Sequence, residues 1–303
     1  MTRGRLRRFC DRAEAAIAGA ALALLRRLGP VRASNLGGVL ARAIGPYLPV
    51  SRVADINLRH AMPDLDAAAR RQVIRGVWEN LGRTVGEMPH IAALGPSAEG
   101  VGWVLEGVEN LETWRAVGGP LILFSAHIGC WEVLPRAGVM LGIQLASFYR
   151  AATNPDVDAL IVAMRRHAVG GDMPFFAKGR KGAGQAMRHL ARGGRLALLI
   201  DQKMNEGIEA RLFGRPAMTT TSAATFALRF RCPLLPAHAV RIGPARFRIA
   251  VEPPVALPDS GDRHADVAAL TQTLNDILER WIRDWPEGWL WLHRRFPLEI
   301  YRR

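Results

Sequence analysis

The spacing of apolar residues changes near residue 100 of the chain. Before that point apolar side chains recur about every four residues and predict an amphipathic helix over 66–88. Beyond it, helical stretches alternate with short apolar runs typical of buried strands, at 103–106, 121–124, 144–149, 196–200, 234–240 and 247–251. Strands that alternate with helices predict an α/β fold with a largely parallel central sheet flanked by helices.

The first fifty residues follow a different pattern. An apolar stretch at 15–25 lies between arginines, namely Arg3, Arg5, Arg7, Arg8, Arg26 and Arg27. It is shorter than the roughly 18–20 apolar residues that span a bilayer, and no convincing signal-peptide cleavage site follows it. We therefore expect residues 1–50 to form an amphipathic arm at a membrane interface, ahead of one domain over 51–303. The alternative is an ordinary helix packed on the domain. Breaks in the arm are expected at Gly29-Pro30, Gly37-Gly38 and Gly45-Pro46.

Three of the predicted strands end in a polar side chain. His127 follows the strand at 121–124, Arg150 follows the next one, and Asp201 follows the strand at 196–200. In parallel sheets ligands bind outside the carboxyl ends of the strands, so these side chains are expected to share one site. Each residue taken singly also has an ordinary interpretation: Arg150 could be a surface arginine, and Asp201 could be a turn or helix-cap residue.

A carboxylate, Glu132, lies five residues after His127. On one regular helix the two would be about 140° apart, so they meet only if His127 precedes the helix and Glu132 lies in its first turns. A carboxylate that orients an imidazole makes it a general base. The spacing therefore suggests a His127–Glu132 dyad, and the alternative is a helix that happens to carry a glutamate there.

The net charge of +14 comes from arginine, since only Lys178, Lys181 and Lys203 are lysines. Such an excess indicates an anionic partner: nucleic acid, an anionic membrane, a phosphorylated substrate or an acidic protein. Nucleic acid is disfavoured because no nucleic-acid-binding motif is present and the aromatic residues cluster near the C-terminus. The three cysteines have no spacing typical of a disulfide framework or a zinc site.

The stretch from Ala126 to Glu132 resembles the H-x-x-x-x-[D/E] signature of glycerolipid acyltransferases, in the variant of the bacterial lipid A late acyltransferases. Further stretches resemble that family in the same order and spacing: Asn57-Leu58…Met62-Pro63, Tyr149-Arg150…Asn154-Pro155, Asp201-Gln202…Leu212-Phe213-Gly214…Thr219 and Trp289-Leu-Trp-Leu-His-Arg-Arg-Phe296. The resemblance covers about residues 50–300.

The resemblance implies transfer of a fatty acyl chain from acyl carrier protein to a hydroxyl of an anionic lipid A precursor. It also implies a peripheral or monotopic protein at the cytoplasmic face of the inner membrane, without a metal or organic cofactor. His127 would be the base and Glu132 would orient it. Arg150 would bind an acceptor phosphate or stabilise the oxyanion, and both roles stay open. Further substrate contacts are expected from Asp201, Gln202, Lys178, Arg180, His293 and Arg294.

Several alternatives remain at the level of sequence. The basic loop with Lys178 and Arg180 is equally typical of a solvated surface, and His293 and Arg294 of a packed C-terminal tail. The acceptor could be another phospholipid or glycolipid. A hydrolase with Ser125 or Cys130 as nucleophile is a second reading, although no G-x-S-x-G elbow is present. A third is a non-enzymatic basic protein that binds membranes by charge, with no role for His127.

Overall fold

The computed structural model describes residues 3–302, and the side chains of residues 3–6, Arg3 and Arg5 among them, lie outside that description. Ten α-helices occur in the described part of the chain: α1 (Arg3–Leu28), α2 (Pro30–Ile44), α3 (Ser51–Ala61), α4 (Ala67–Glu87), α5 (Glu112–Val117), α6 (Leu134–Met140), α7 (Pro155–Val169), α8 (Arg180–Ala191), α9 (Ser222–Phe230) and α10 (Arg263–Asp284). Residues 3–302 also contain nine strands: β1 (Gly102–Glu106), β2 (Leu121–Ser125), β3 (Leu145–Tyr149), β4 (Phe175–Ala177), β5 (Arg195–Leu199), β6 (Ile208–Leu212), β7 (Arg215–Thr219), β8 (Leu234–Gly243) and β9 (Arg246–Val251).

Seven strands form the central sheet, in the order β1-β9-β8-β2-β5-β3-β4. All neighbouring strands are parallel except the β8–β9 pair. The predicted α/β fold with a largely parallel sheet and flanking helices is therefore confirmed. The central strand β2 is apolar along its length because helices cover both faces of the sheet; Phe124, for example, stacks on Trp281 of α10 at 5.9 Å.

The segment 203–218, which none of the predicted strands covers, contains a β-hairpin of β6 and β7. Its turn consists of Phe213 and Gly214, both with positive φ (55° and 68°). Two-residue hairpin turns favour that backbone geometry because it matches the twist of the strands. A phenylalanine in a left-handed conformation is uncommon, so no recognisable hairpin signal is present at these positions of the sequence.

The N-terminal helices pack closely on the rest of the chain. The break expected at Gly37-Gly38 is wrong, because α2 runs continuously through it. A Cβ added at Gly37 would lie 2.2 Å from the carbonyl oxygen of Gly82 in α4, and one added at Gly82 would lie 2.1 Å from that of Gly37. The glycines therefore allow backbone-to-backbone contact between the two helices. No helix within residues 3–302 combines the length and hydropathy of a membrane span.

Candidate active site

The pairing of β2 with β5 brings two polar residues to the same edge of the sheet. Ser125 at the end of β2 lies opposite Leu199 at the end of β5. His127 and Asp201 each follow two residues later and are therefore neighbours. His127 Nδ1 lies 2.9 Å from Asp201 Oδ1, and the His127 backbone N–H donates to Oδ2 at 3.1 Å. Because a carboxylate accepts at Nδ1, the proton lies on Nδ1 and the neutral ring keeps its lone pair on Nε2.

Asp201 is only 1% exposed and is held by neutral donors as well as by the imidazole. The indole N–H of Trp289 donates to Oδ2 at 2.8 Å. Burial by itself raises the pKa of Asp201, but the charge and hydrogen bond of His127, with His293 and Trp289, outweigh it and hold that pKa below its usual range. Asp201 is therefore an ionised carboxylate that can stabilise an imidazolium.

The turn after β2 is held on several sides. Gly129 has φ +60°, and a Cβ there would lie 1.8 Å from the carbonyl oxygen of Ala239 in β8. The Gly129 N–H donates to Gly288 O at 2.9 Å, and the Leu290 N–H donates to His127 O at 2.9 Å. These contacts fix the backbone that carries the imidazole, and only glycine fits at position 129.

The other ring nitrogen of His127 is accessible to solvent. The side chain is 18% exposed, and its Nε2 has no hydrogen-bond partner among residues 3–302 but is not sealed from solvent. The edge of the ring contacts Trp131, with ring centroids 5.1 Å apart. An imidazole whose Nδ1 is held by a hydrogen bond and whose Nε2 is accessible has the geometry of a general base.

Glu132 has a different partner from the one expected. It lies in a 3-10 turn, Trp131–Val133, where it accepts from the indole N–H of Trp131 at 3.1 Å and from Arg165 Nε at 2.9 Å. No hydrogen bond or ion pair joins Glu132 to His127 in the described structure. The left-handed Gly129 turns the chain before Glu132, and Arg165 of α7 neutralises its carboxylate. The carboxylate bonded to His127 is thus Asp201.

Two cations extend the row of strand ends beyond Asp201. Tyr149 of β3 pairs with Ala177 of β4, and the next residue on each strand is Arg150 and Lys178 respectively. Lys178 Nζ donates to Gln202 Oε1 at 3.2 Å. Burial, and then the neighbouring charge of Arg150, lower the pKa of Lys178, and Asp201 opposes them. We call Arg150, Lys178 and Gln202 the basic rim.

Arg180, the fourth residue expected near this edge, is exposed at the first position of α8, two residues after Lys178. The structure therefore brings Arg150, Lys178 and Gln202 to the same edge as His127 and Asp201 and leaves Arg180 on the adjoining surface.

The C-terminal segment contributes His293 but not Arg294. The Nδ1–H of His293 donates to Leu290 O at 2.7 Å, and the ring contacts Trp289 edge-on at 5.2 Å. Burial lowers the pKa of His293, and its Nε2 is buried without a partner in the described residues. A neutral acceptor therefore lies beside the Asp201–Trp289 contact. Arg294 is exposed and lies over the ring of Tyr301.

The two candidate nucleophiles of the hydrolase reading are buried. Cys130 is 0% exposed, and burial together with the negative charge of Glu87 raises the pKa of its thiol far above the usual range. Reactive cysteines instead have a lowered pKa and access to solvent. Ser125 is also buried. Neither side chain is presented to a substrate.

Trp289 and Asn80 are the contributors that sequence reasoning missed. Trp289 lies 88 residues from Asp201, and Asn80 lies 49 residues from Gly129, whose carbonyl it binds. Asn80 shares the buried face of α4 with Thr84 and Glu87, and this row of buried polar side chains is the local signal of such a role.

A comparison with known protein families identifies the family of this chain. The sequence matches the family described as bacterial lipid A biosynthesis acyltransferase over residues 6–297. A comparison with curated proteins gives no match. The family match covers nearly the whole chain and excludes the non-enzymatic reading. The protein, with a histidine general-base geometry at the end of its central strand, belongs to the bacterial lipid A biosynthesis acyltransferase family and is an acyltransferase.

Proposed function

We propose that the enzyme transfers a fatty acyl chain from the thioester of acyl carrier protein to a hydroxyl of a lipid A precursor, with His127 as the general base. The observation that carries this proposal is the His127–Asp201 pair, in which one ring nitrogen is held at 2.9 Å and the other is open. An alcohol is a weak nucleophile at neutral pH and needs a base within hydrogen-bond reach.

The reaction balances with these groups alone. His127 Nε2 takes the proton of the acceptor hydroxyl while its oxygen attacks the thioester carbonyl carbon. Asp201 stabilises the imidazolium that forms, as the carboxylate does in a serine-protease triad. When the tetrahedral intermediate collapses, the C–S bond breaks and the departing thiolate takes the proton back from His127. The products are an ester and the free thiol of the carrier.

Glu132 has a supporting role in this proposal. Its bond to Arg165 links the turn after His127 to α7, and the indole N–H of Trp131, which also contacts the His127 ring, donates to the same carboxylate. Glu132 therefore holds Trp131 and the turn in place and does not orient the imidazole directly.

The basic rim binds a phosphate of the acceptor. Arg150 and Lys178 lie close enough for the charge of Arg150 to lower the pKa of Lys178, and a dianionic phosphate between them would relieve that repulsion. This pairing favours phosphate binding over oxyanion stabilisation for Arg150. Gln202 orients Lys178. Arg180 and Arg294 extend the positive surface towards the acidic carrier protein and the glycolipid, whereas His293 is neutral and adds no charge to it.

The N-terminal helices seat the enzyme on the cytoplasmic face of the inner membrane as a peripheral protein. Large apolar side chains on α1 and α2 are exposed, among them Phe9 (67%), Ile17 (72%) and Val39 (62%). Arg26 and Arg27 lie in the last turn of α1. Exposed apolar side chains flanked by arginines are typical of helices that lie in the interface of an anionic membrane.

The test is acyl transfer from acyl-acyl carrier protein to a lipid A precursor disaccharide by wild type and His127→Ala. We expect at least about a 1,000-fold loss in kcat, because base and proton donor are both removed. His167→Ala, which changes an exposed histidine of α7, is the matched control and should keep full activity. Wild-type turnover by His127→Ala would refute the proposed base. Parallel assays with a phospholipid and with a dephosphorylated disaccharide separate lipid A precursors from other acceptors.

A further inference from the structure

A buried polar cluster lies between α4 and β8, outside the proposed base pair. Glu87 is 0% exposed, and the side chain of Arg241 is 7% exposed; one guanidinium nitrogen contacts both oxygens of the carboxylate. The hydroxyl of Ser34 in α2 donates to Glu87 at 2.7 Å, and the Ala245 N–H donates to it at 2.9 Å. The pair is thus largely enclosed and well hydrogen-bonded, and this is the condition under which a buried ion pair is rigid.

The cluster sets the orientation of a buried amide, Asn80. Arg241 Nε donates to Asn80 Oδ1 at 3.2 Å. Because a guanidinium only donates, the amide oxygen must face Arg241 and the NH2 group must point the other way. Arg241 also donates to Thr84 Oγ1 at 3.0 Å, and the Thr84 hydroxyl donates to Asn80 O at 2.9 Å.

The oriented NH2 group of Asn80 holds the turn that carries His127. It donates to Gly129 O at 3.0 Å and to Gly288 O at 3.3 Å. Gly288 O also accepts from the Gly129 N–H. The side-chain amide of Asn80 therefore binds both the turn at Gly129 and the segment at Gly288. Asp201 fixes the Nδ1 edge of the imidazole, whereas the height of Nε2 above the sheet depends on the backbone of this turn.

We infer that Asn80 is a positioning residue for His127, with Arg241 and Glu87 setting its orientation. The inference rests on the proposed role of His127 as the base. Loss of the amide donor leaves Gly129 O with only the Thr84 hydroxyl at 3.4 Å and Gly288 O with only the Gly129 N–H, and the turn relaxes to recover partners. A shift of the base by about 1 Å is enough to lower turnover by up to about 100-fold.

Asn80→Asp is the test variant, because it keeps the shape and the acceptor for Arg241 but replaces the NH2 donor by an oxygen that repels Gly129 O. Gln72→Ala, at an exposed position of the same helix, is the control. We expect kcat of Asn80→Asp to fall about 10- to 100-fold while KM for both substrates stays within about twofold of the control. Wild-type kcat, or a rise in KM without a fall in kcat, would overturn the inference.

The same change in a His127→Ala background separates positioning from general loss of structure. If Asn80 acts through His127, adding Asn80→Asp to His127→Ala lowers the residual rate by less than about twofold, because residues that act as a unit are non-additive. An equal factor in both backgrounds overturns the inference. Full activity of His127→Ala alone would refute the proposed base instead. If Asn80→Asp does not fold, Asn80→Ala, which removes the donor without adding a charge, is judged by the same criteria.

Discussion

Two carboxylates flank the turn that carries His127, and their surroundings differ. Asp201 comes from the neighbouring strand, is 1% exposed and accepts only from His127 and the neutral indole of Trp289. Glu132 is five residues away along the chain, its side chain is 9% exposed, and it is bound to the cation of Arg165. The nearer carboxylate in sequence is thus the one already neutralised by another residue.

The contrast shows what makes a carboxylate useful to a base. Arg165 compensates the charge of Glu132 permanently, so little of it remains to favour an imidazolium. Asp201 has no permanent cation bonded to it in residues 3–302, and its charge is balanced only when His127 takes up a proton. The register between β2 and β5, and not the spacing along the chain, selects the partner.

The largest expected effect is on turnover. Asp201→Asn keeps the shape of the side chain but offers an NH2 group that favours the wrong tautomer of His127, and kcat should fall by about 10³- to 10⁴-fold. Glu132→Gln should cost less than about tenfold. Steady-state acyl-transfer kinetics of the two variants compare the carboxylates directly, and equal losses would break the distinction between them.

The next effect is on stability and concerns the other carboxylate. Arg165→Gln leaves Glu132 uncompensated in a site where its side chain is only 9% exposed, and the free energy of unfolding should fall by about 2–3 kcal/mol. Arg166→Gln is the matched control, since its side chain is 57% exposed and its ion pair with Asp172 should be worth less than about 1 kcal/mol. Denaturant unfolding at constant salt measures both variants. Equal denaturation midpoints for Arg165→Gln and Arg166→Gln would mean that the Glu132–Arg165 pair is as weak as a surface ion pair.

A smaller change tests the neutral donor to Asp201. Trp289→Phe removes the indole N–H while keeping an aromatic ring, and kcat should fall by about tenfold, or about 1.4 kcal/mol. Trp291→Phe is the control because its indole N–H donates to Pro286 O at 2.8 Å instead. Both variants lose packing, so thermal unfolding should shift similarly. A comparable fall in kcat for Trp291→Phe would assign the effect to packing.

The smallest effect is a pH dependence. The pKa of Asp201 in the folded protein lies below its usual range, so the ionised carboxylate stabilises the fold. This stabilisation is fully present above the unfolded-state pKa of about 3.9, and it is lost as the pH falls through the pKa of Asp201 in the folded protein. The stability gap between wild type and Asp201→Asn should therefore narrow by about 1 kcal/mol or more as pH falls from 5 to below 3. Urea unfolding across that range measures it, and a gap that widens in acid would contradict the assigned direction.

The sequence predicted the α/β fold and the edge of the sheet where the site lies, because apolar runs and strand-end polar residues are local features. It could not predict that β5 lies between β2 and β3, since strand order is decided by how the helices pack. The choice of Asp201 over Glu132 depends on that order. Trp289 and Asn80 could not be predicted as site residues because they come from segments distant in the sequence. The β6–β7 hairpin was not predicted because its turn contains Phe213, a residue that rarely has a positive φ.

The glycine contact between α2 and α4 has a geometric consequence for how the enzyme meets a lipid. With Gly37 and Gly82 backbone to backbone, neither helix can slide or tilt without a steric clash. The exposed apolar side chains of α2, such as Val39 and Leu40, and the His127 turn held by Asn80 of α4 are then parts of a single rigid body. In the peripheral membrane orientation proposed above, the distance between the bilayer surface and the reactive nitrogen is therefore fixed, and the enzyme would select acceptor hydroxyls by their depth in the headgroup layer.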